Sequence, residues 1–338
     1  MPGRNALTPW LPALLGRLRL WLGLAALLVG AAAAGAPPKE LTIAVANTPL
    51  SLPLFVADSQ GYFADEGLKP RLQECVGGFR CMQLMFAGEA DLATAADAPI
   101  MFNSFDRADF AVLGTFVVAH DDTKLIARKS AGITKPQHLT GKRVGAVLRS
   151  SSHYFVDAYL LMNGVEPKSV TALDLAPGAL VGALASGQVD AIAVWEPQGW
   201  QAMHRLKDDA TLLPSRGVYN ETFNLVASHR VIGTRDAELA KVLRAIERAT
   251  RFIRARPAEA QALLRARLKL DQDTVDWLWQ GMRFRLSLDQ GLLRTLESEA
   301  RWALREGHVP QGKVPNFLKY VHTAPLRAVN ESAVGLPQ

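Results

Sequence analysis

LMFAGEADLATAADAP (residues 84–99) and LASGQVDAIAVWEP (residues 184–197) follow one plan. In each, a helical run ends at a glycine, Gly88 or Gly187, and an aspartate follows, Asp91 or Asp190. A short β-rich run comes next, then a polar turn into Pro99 or Pro197. The glycine suits a helix C-cap, where the left-handed backbone penalises any residue with a Cβ. The aspartate suits the turn that opens the following strand, because its side chain accepts hydrogen bonds from nearby amides. The echo is short, and it suggests two lobes built alike.

Outward from these stretches, β-rich runs alternate with helical ones. LTIAVA (41–46), LKPRLQEC (68–75), FAVLGTF (110–116), KLIARK (124–129), GKRVGAV (141–147), SVTALDL (169–175) and FNLVASH (223–229) have strand patterns. Between several of them lie helical runs such as FRCMQLMFAGE (79–89) and HYFVDAYLLMNG (153–164). Such alternation predicts parallel sheets with helices on both faces, an α/β fold. Beyond residue 236 four amphipathic helices are expected, with Pro257 in the first turn of one and arginine-rich faces toward solvent. Trp277, Trp279 and Trp302 are expected to fill the seam where these helices dock.

The first 34 residues have the order of a secretory leader. Arg4, Arg17 and Arg19 precede an apolar run, Leu20 to Ala34, that ends in small residues. That run falls short of the ~20 apolar residues of a membrane span. Cleavage is expected after Ala33 or Ala34, leaving a soluble periplasmic protein of about 300 residues, enough for two domains. Removing three arginines takes the formal net charge from +6 to +3, too mild to argue for nucleic acid. Cys75 and Cys81 are the two cysteines, and in an oxidising compartment they are expected to pair around a small loop. Two free buried thiols are the alternative, since two cysteines fix no geometry.

In open parallel sheets, ligands bind beyond the carboxyl ends of the strands. That rule selects Asn47, Thr48, Pro49 and Leu50 after the first strand, and Thr94, Ala95, Ala96 and Asp97 after the ADLAT run. It also selects Arg149, Ser150, Ser151, Ser152 and His153 after GKRVGAV, and Trp195 and Glu196 after VDAIAV. The serine run offers hydroxyls and amides at a helix start, which favour an anion, although serines also cap helices for local reasons. Asp97 and Glu196 suit a cationic or hydroxyl-bearing part of a ligand, a bond across the hinge, or a cap on the next helix. Trp195 offers an aromatic wall. Gly77, Gly78 and Phe79 are expected in a loop that lets backbone approach a ligand. Seven histidines are scattered without metal-ligand spacing, and neither a nucleophile elbow nor a phosphate loop is present. No metal, cofactor or catalytic residue is expected.

GYFADEGL (61–68), the Gly77–Gly78 pair, GEAD (88–91), the serine–HYF segment (150–155) and WEP (195–197) resemble the nitrate/sulfonate/taurine-type substrate-binding proteins of ABC importers. That superfamily also holds thiamine-pyrimidine synthesis proteins. The resemblance implies a type II periplasmic-binding fold, two α/β lobes around a ligand cleft with a helical C-terminal segment. It implies lobe 1 at residues 40–122 and 225–322, lobe 2 at 123–224 and a tail at 323–338. It implies a monomer that captures a small anionic solute, such as a sulfonate or nitrate, and hands it to a permease with its ATPase. The residues selected above would touch the ligand, joined by Asn224 in the stretch near Tyr219 that re-enters lobe 1. Arg149 stands where a small residue often makes the turn in such proteins. A pyrimidine-precursor binding or synthesis protein, or a sensor for a membrane receptor, is the alternative.

Overall fold

The computed structural model describes Gly3 and residues 40–336. Apart from Gly3, the expected leader lies outside the described residues. The chain begins with β1 (Thr42–Ala46), α1 (Leu52–Ser59), α2 (Tyr62–Asp65), β2 (Arg71–Cys75), α3 (Gly77–Phe86), β3 (Leu92–Ala96), α4 (Asp97–Ser104) and β4 (Phe110–Ala119). After residues 120–123 come β5 (Lys124–Arg128), β6 (Arg143–Ala146), α5 (Ser151–Met162), β7 (Thr171–Asp174), α6 (Leu180–Ser186), β8 (Ala191–Val194), α7 (Gln198–Leu206) and β9 (Ala210–Leu213). Residues 214–220 lead back to β10 (Glu221–Ser228). Then follow α8 (Asp236–Ala255), α9 (Pro257–Leu268), α10 (Gln272–Trp279), β11 (Met282–Ser287), α11 (Gln290–Arg305) and α12 (Ala324–Val329).

Two sheets result. The first runs β11-β4-β10-β3-β1-β2 and the second β7-β6-β8-β5-β9. β1 is parallel to β2 and β3, while β10 and β11 enter antiparallel. Every residue of TIAVA in β1 is buried, the mark of a parallel strand covered on both faces. In the second sheet, β5 sends Leu125 and Ala127 into one apolar cluster and Ile126 into another, so both faces are packed. Two segments cross between the sheets, residues 120–123 and 214–220. The expected lobe boundary between 224 and 225 falls inside β10, which pairs along its whole length in the first sheet.

The sequence echo has a physical counterpart. Asp91 accepts the Thr42 N–H at 3.0 Å, where β1 begins, and Asp190 accepts the Arg143 N–H at 3.0 Å, where β6 begins. Each aspartate therefore ties the start of its own strand to the neighbouring parallel one. Arg143 also grips Asp190 through its guanidinium, which holds that carboxyl down at about 2.

The C-terminal part departs from an all-helical expectation. MRFRLS forms β11, an edge strand whose arginines face out while Met282, Phe284 and Leu286 face in. α8 buries Leu239, Val242, Leu243, Ile246 and Ile253 along one stripe against the first sheet. Residues 324–329, expected in a tail, form α12 and pack on α8.

Candidate functional site

A cavity of about 200 Å³ is walled from both sheets. From the first come Asn47, Thr48 and Leu50 after β1, Val76 to Phe79 after β2, Ala96 and Pro99 around α4, and Glu221 and Phe223 of β10. From the other side come Asp122 of the crossing segment, Val147, Ser150 and Ser151 after β6, Pro177, and Trp195, Glu196 and Gln198 after β8. These are carboxyl ends of parallel strands, where loops converge and helices begin. A larger cavity of about 780 Å³ lies beside β11 and takes no wall from the second sheet. It is lined by Arg254, Arg283, Arg285 and Arg294, whose guanidiniums are engaged by Phe284 O, Gln280 O, Asp289 and Gln290.

Gly77, Gly78 and Phe79 do not form the expected loop; they are the first turn of α3. Gly77 has φ +75°, and a Cβ on Gly78 would stand 2.7 Å from Ala95 Cα. The pair therefore lets α3 begin in close contact with β3, and the Cys75–Cys81 disulfide staples the end of β2 to that first turn. Phe79 remains exposed at the rim.

Several selected residues lie behind the walls. Pro49 opens a buried 3₁₀ turn. Thr94 Oγ1 accepts the Ala46 N–H at 2.9 Å, and Ala95 lies under Gly78. Asn224 is buried between Thr115, whose hydroxyl it accepts at 2.6 Å, and the carbonyls of Ala95 and Thr222. Asp97 is wholly buried, accepts from the Tyr219 hydroxyl and from Thr222 N–H and Oγ1, and receives a hydrogen bond from the Glu299 carboxyl. Burial raises both carboxyls above their ordinary range, and the pair links α4 to α11.

The serine run is largely used locally. Ser150 caps α5 by accepting the Ser152 N–H at 3.2 Å, and Ser152 Oγ accepts the Val147 N–H at 3.0 Å. Ser151 reaches the cavity and hydrogen-bonds Glu221. Arg149 turns away from the cavity with φ +59°; its guanidinium stacks over Phe102 and donates to His308 O at 3.2 Å. Its left-handed backbone explains why a small residue suits this turn. His153 accepts the Arg149 N–H and packs edge-on against Trp302, with the His308 ring 4.3 Å away. Burial and His308 push the His153 ring down to about 4.

Glu196 caps α7 through Trp200 N–H at 3.0 Å and accepts the Trp277 indole N–H at 2.6 Å. Trp302 likewise donates to Asp157 of α5 at 2.8 Å. Trp277 and Trp302 thus do more than fill a helical seam: they reach from the first-sheet side to groups on the second. Burial raises Glu196, raises Asp122 to about 8 with the nearby Glu196 charge adding to it, and raises Glu221 well above its ordinary range.

The sequence reading missed Asp122, Val147, Pro177 and Gln198 as wall residues, while Glu221 and Phe223 lie in the candidate stretch near Tyr219 to Asn224 without having been singled out. One signal was available: only residues 120–123 join β4 to β5, two largely buried strands, so a connection that short carries Asp121 and Asp122 directly between the sheets.

Comparison with known proteins follows from this geometry. A family model described as NMT1/THI5 like matches residues 48–260. The taurine-binding periplasmic protein of Escherichia coli (strain K12) is 24% identical over 176 residues, covering 52% of this chain and 53% of the relative. A 4-amino-5-hydroxymethyl-2-methylpyrimidine phosphate synthase of Uromyces fabae is 34% identical over 101 residues, 30% of this chain and 29% of the relative. The chain therefore spans about half the length of the first relative and under a third of the second. Among solved structures, the alkanesulfonate-binding protein SsuA from Xanthomonas axonopodis pv. citri, bound to MOPS, superposes with a TM-score of 0.72 at 20% identity. That match covers 86% of this chain and 100% of the other, so the two share their fold.

Proposed function

We propose, from the premise that this chain belongs to the NMT1/THI5-like family, that it is an extracytoplasmic solute-binding component. On this reading it takes a small molecule into the cavity between its sheets and delivers it to a permease driven by an ATPase. The observation that carries the reading is a cavity walled by the strand ends of both sheets. The names of the taurine-binding and alkanesulfonate-binding relatives point the same way. The Cys75–Cys81 disulfide suits an oxidising compartment, in keeping with export by the residues 1–34 leader. We take the two lobes to be built on the two sheets, with the boundary expected at 224/225 moved back to the crossing at residues 214–220 so that β10 stays whole in lobe 1, acting as a monomer whose role is binding rather than turnover.

Hinge closure is the proposed mechanism. Contacts such as Trp277–Glu196, Trp302–Asp157 and Arg149–His308 O join the two sides, and a ligand touching both walls adds to them. Such a ligand favours the closed arrangement over an open one. Asn47, Thr48, Ser151, Trp195, Glu196, Asp122 and Glu221 are the proposed contacts. The anionic solute expected from the sequence meets no lysine, arginine or histidine on these walls, among the described residues. The reading is tested by a thermal-shift screen of purified protein against sulfonates, carboxylates, amines and pyrimidines. A ligand at 100 times its dissociation constant adds about 2.7 kcal/mol, and that gain should vanish in Trp195→Ala. A gain that survives Trp195→Ala with Ser151→Ala would remove the cavity from the account.

A further inference from the structure

The walls of the inter-sheet cavity bring together more carboxyl groups than the protein supplies with donors and cations. Asp122 (7% exposed) and Glu221 (4% exposed) stand at the two crossings, and Glu196 (1% exposed) ends the β8 strand opposite. Glu196 has the Trp277 and Trp200 N–H groups, and Glu221 has the Thr123 and Ser151 hydroxyls. Asp122 has no side-chain donor; the Glu196 backbone N–H is its one hydrogen-bond donor among the described residues. A second wall group is also short of a donor: Gln198 Oε1 is buried with no partner. Lys124 is the neighbouring cation, and its ammonium is held by Asp121 at 2.6 Å and by the Asp121 carbonyl at 2.5 Å. One lysine thus stands among Asp121, Asp122, Glu196 and Glu221. Buried acceptors without donors cost free energy unless a guest supplies the missing donors and charge. Trp195, Phe79, Phe223 and Pro177 give the wall an apolar, largely aromatic part, beside the neutral polar Asn47, Thr48 and Ser151.

We infer that the ligand of this cavity carries a protonated nitrogen, an amine or amidine, seated between Asp122 and Glu221, on a compact apolar body that rests against Trp195 and Phe79. The inference rests on the solute-capture reading above and names the class of solute. An anion at this place would add to the crowd of carboxyls and would require them all to be protonated. A cation accepts them ionised, and its N–H groups satisfy the Asp122 oxygens and Gln198 Oε1 together.

The test uses the purified full chain, dialysed to equilibrium against an equimolar mixture of benzylamine, benzamidine, taurine, ethanesulfonate and propionate, with the retained compounds read by mass spectrometry. Retention of an amine or amidine is expected at about ten times that of ethanesulfonate, falling about tenfold in Asp122→Asn and in Glu221→Gln. Circular-dichroism melts of both variants confirm that they fold. Taurine retained without ethanesulfonate also supports the inference, because the ammonium distinguishes them. Ethanesulfonate or propionate retained above every amine overturns the inference and leaves solute capture standing. Equal retention of the amine by both variants overturns the seat. A chain that retains none of the five overturns both the inference and the capture reading.

Discussion

Replacing Asp122 by asparagine should flatten the alkaline side of the protein's stability profile. Burial, with the nearby Glu196 charge, raises the Asp122 carboxyl from 3.8 to about 8. The folded protein therefore holds a proton there that the unfolded chain releases at about 4, so stability falls as pH rises through that interval and levels off above 8. At 1.36 kcal/mol per unit, the ceiling for one isolated group is about 6 kcal/mol. Asp122 shares its surroundings with Glu196, Glu221 and Lys124, so protons redistribute among them and a smaller loss, about 2–4 kcal/mol between pH 5 and pH 8, is expected. Asparagine keeps the shape and removes the titrating group. Urea unfolding at pH 5, 6, 7 and 8 measures both chains, and their difference cancels the contribution of every group that does not interact with Asp122. The free energies should converge at pH 5, with the variant the more stable by about 2–4 kcal/mol at pH 8. Parallel curves across the series would show that Asp122 is not held protonated by its burial, and the cavity's electrostatics as argued would be wrong.

His153 acts in the opposite window: with its ring pushed down to about 4, the folded protein loses up to about 3 kcal/mol as pH falls from 6.5 toward 4. His153→Gln should remove that acid-side slope in the same unfolding series, and an unchanged slope would assign it elsewhere. Gly78→Ala places a Cβ 2.7 Å from Ala95 Cα and should cost about 1–3 kcal/mol, seen as a lowered melting temperature. Cys75→Ser with Cys81→Ser opens a short loop and should cost about 2 kcal/mol in the same melt. Trp277→Phe keeps the ring but removes the N–H on Glu196, and should weaken capture of the identified solute by about tenfold in calorimetry.

Local chemistry made much of this architecture legible. Gly88 and Gly187 act at their own helix ends through positive φ, so a short window of sequence carries their meaning, whereas Asp91 and Asp190 reach amides on a neighbouring strand, Thr42 and Arg143, which that window does not contain. The alternation of buried strands and helices is likewise local, and it foretold both sheets. β11 was hidden by its setting: a six-residue strand between long helices looks like a helix end, although its alternation of apolar residues with Arg283 and Arg285 was visible. The loop expected at Gly77–Phe79 became a helix start because Ala95, distant in sequence, accepts close backbone there. The serine run shows the converse, since Ser150 and Ser152 satisfy amides within their own turn. Nothing local in HDDTK or in the opening of ETFNLVAS tells a buried carboxyl from a solvated one. Their burial depends on the two crossings lying side by side, which is a property of the folded chain.

That placement has a consequence for closure. On the proposed closure, the contacts joining the two sides away from the cavity, Trp302 with Asp157 and Arg149 with His308 O, need no ligand and favour the closed arrangement at all times. On the same proposal the carboxyls act against them, because Asp122 and Glu221 stand at the crossings beside Glu196, where each raises the cost of ionising its neighbour. On that proposal the empty protein is balanced between a standing attraction at the periphery and, at the hinge, the cost of crowding carboxyls that must stay protonated there. A guest that neutralises the hinge removes the opposing term without adding a contact elsewhere, and the shift in population equals its differential affinity for the two arrangements. Weakening the peripheral contacts should then lower affinity for every ligand alike. Neutralising a hinge carboxyl should change which ligands bind.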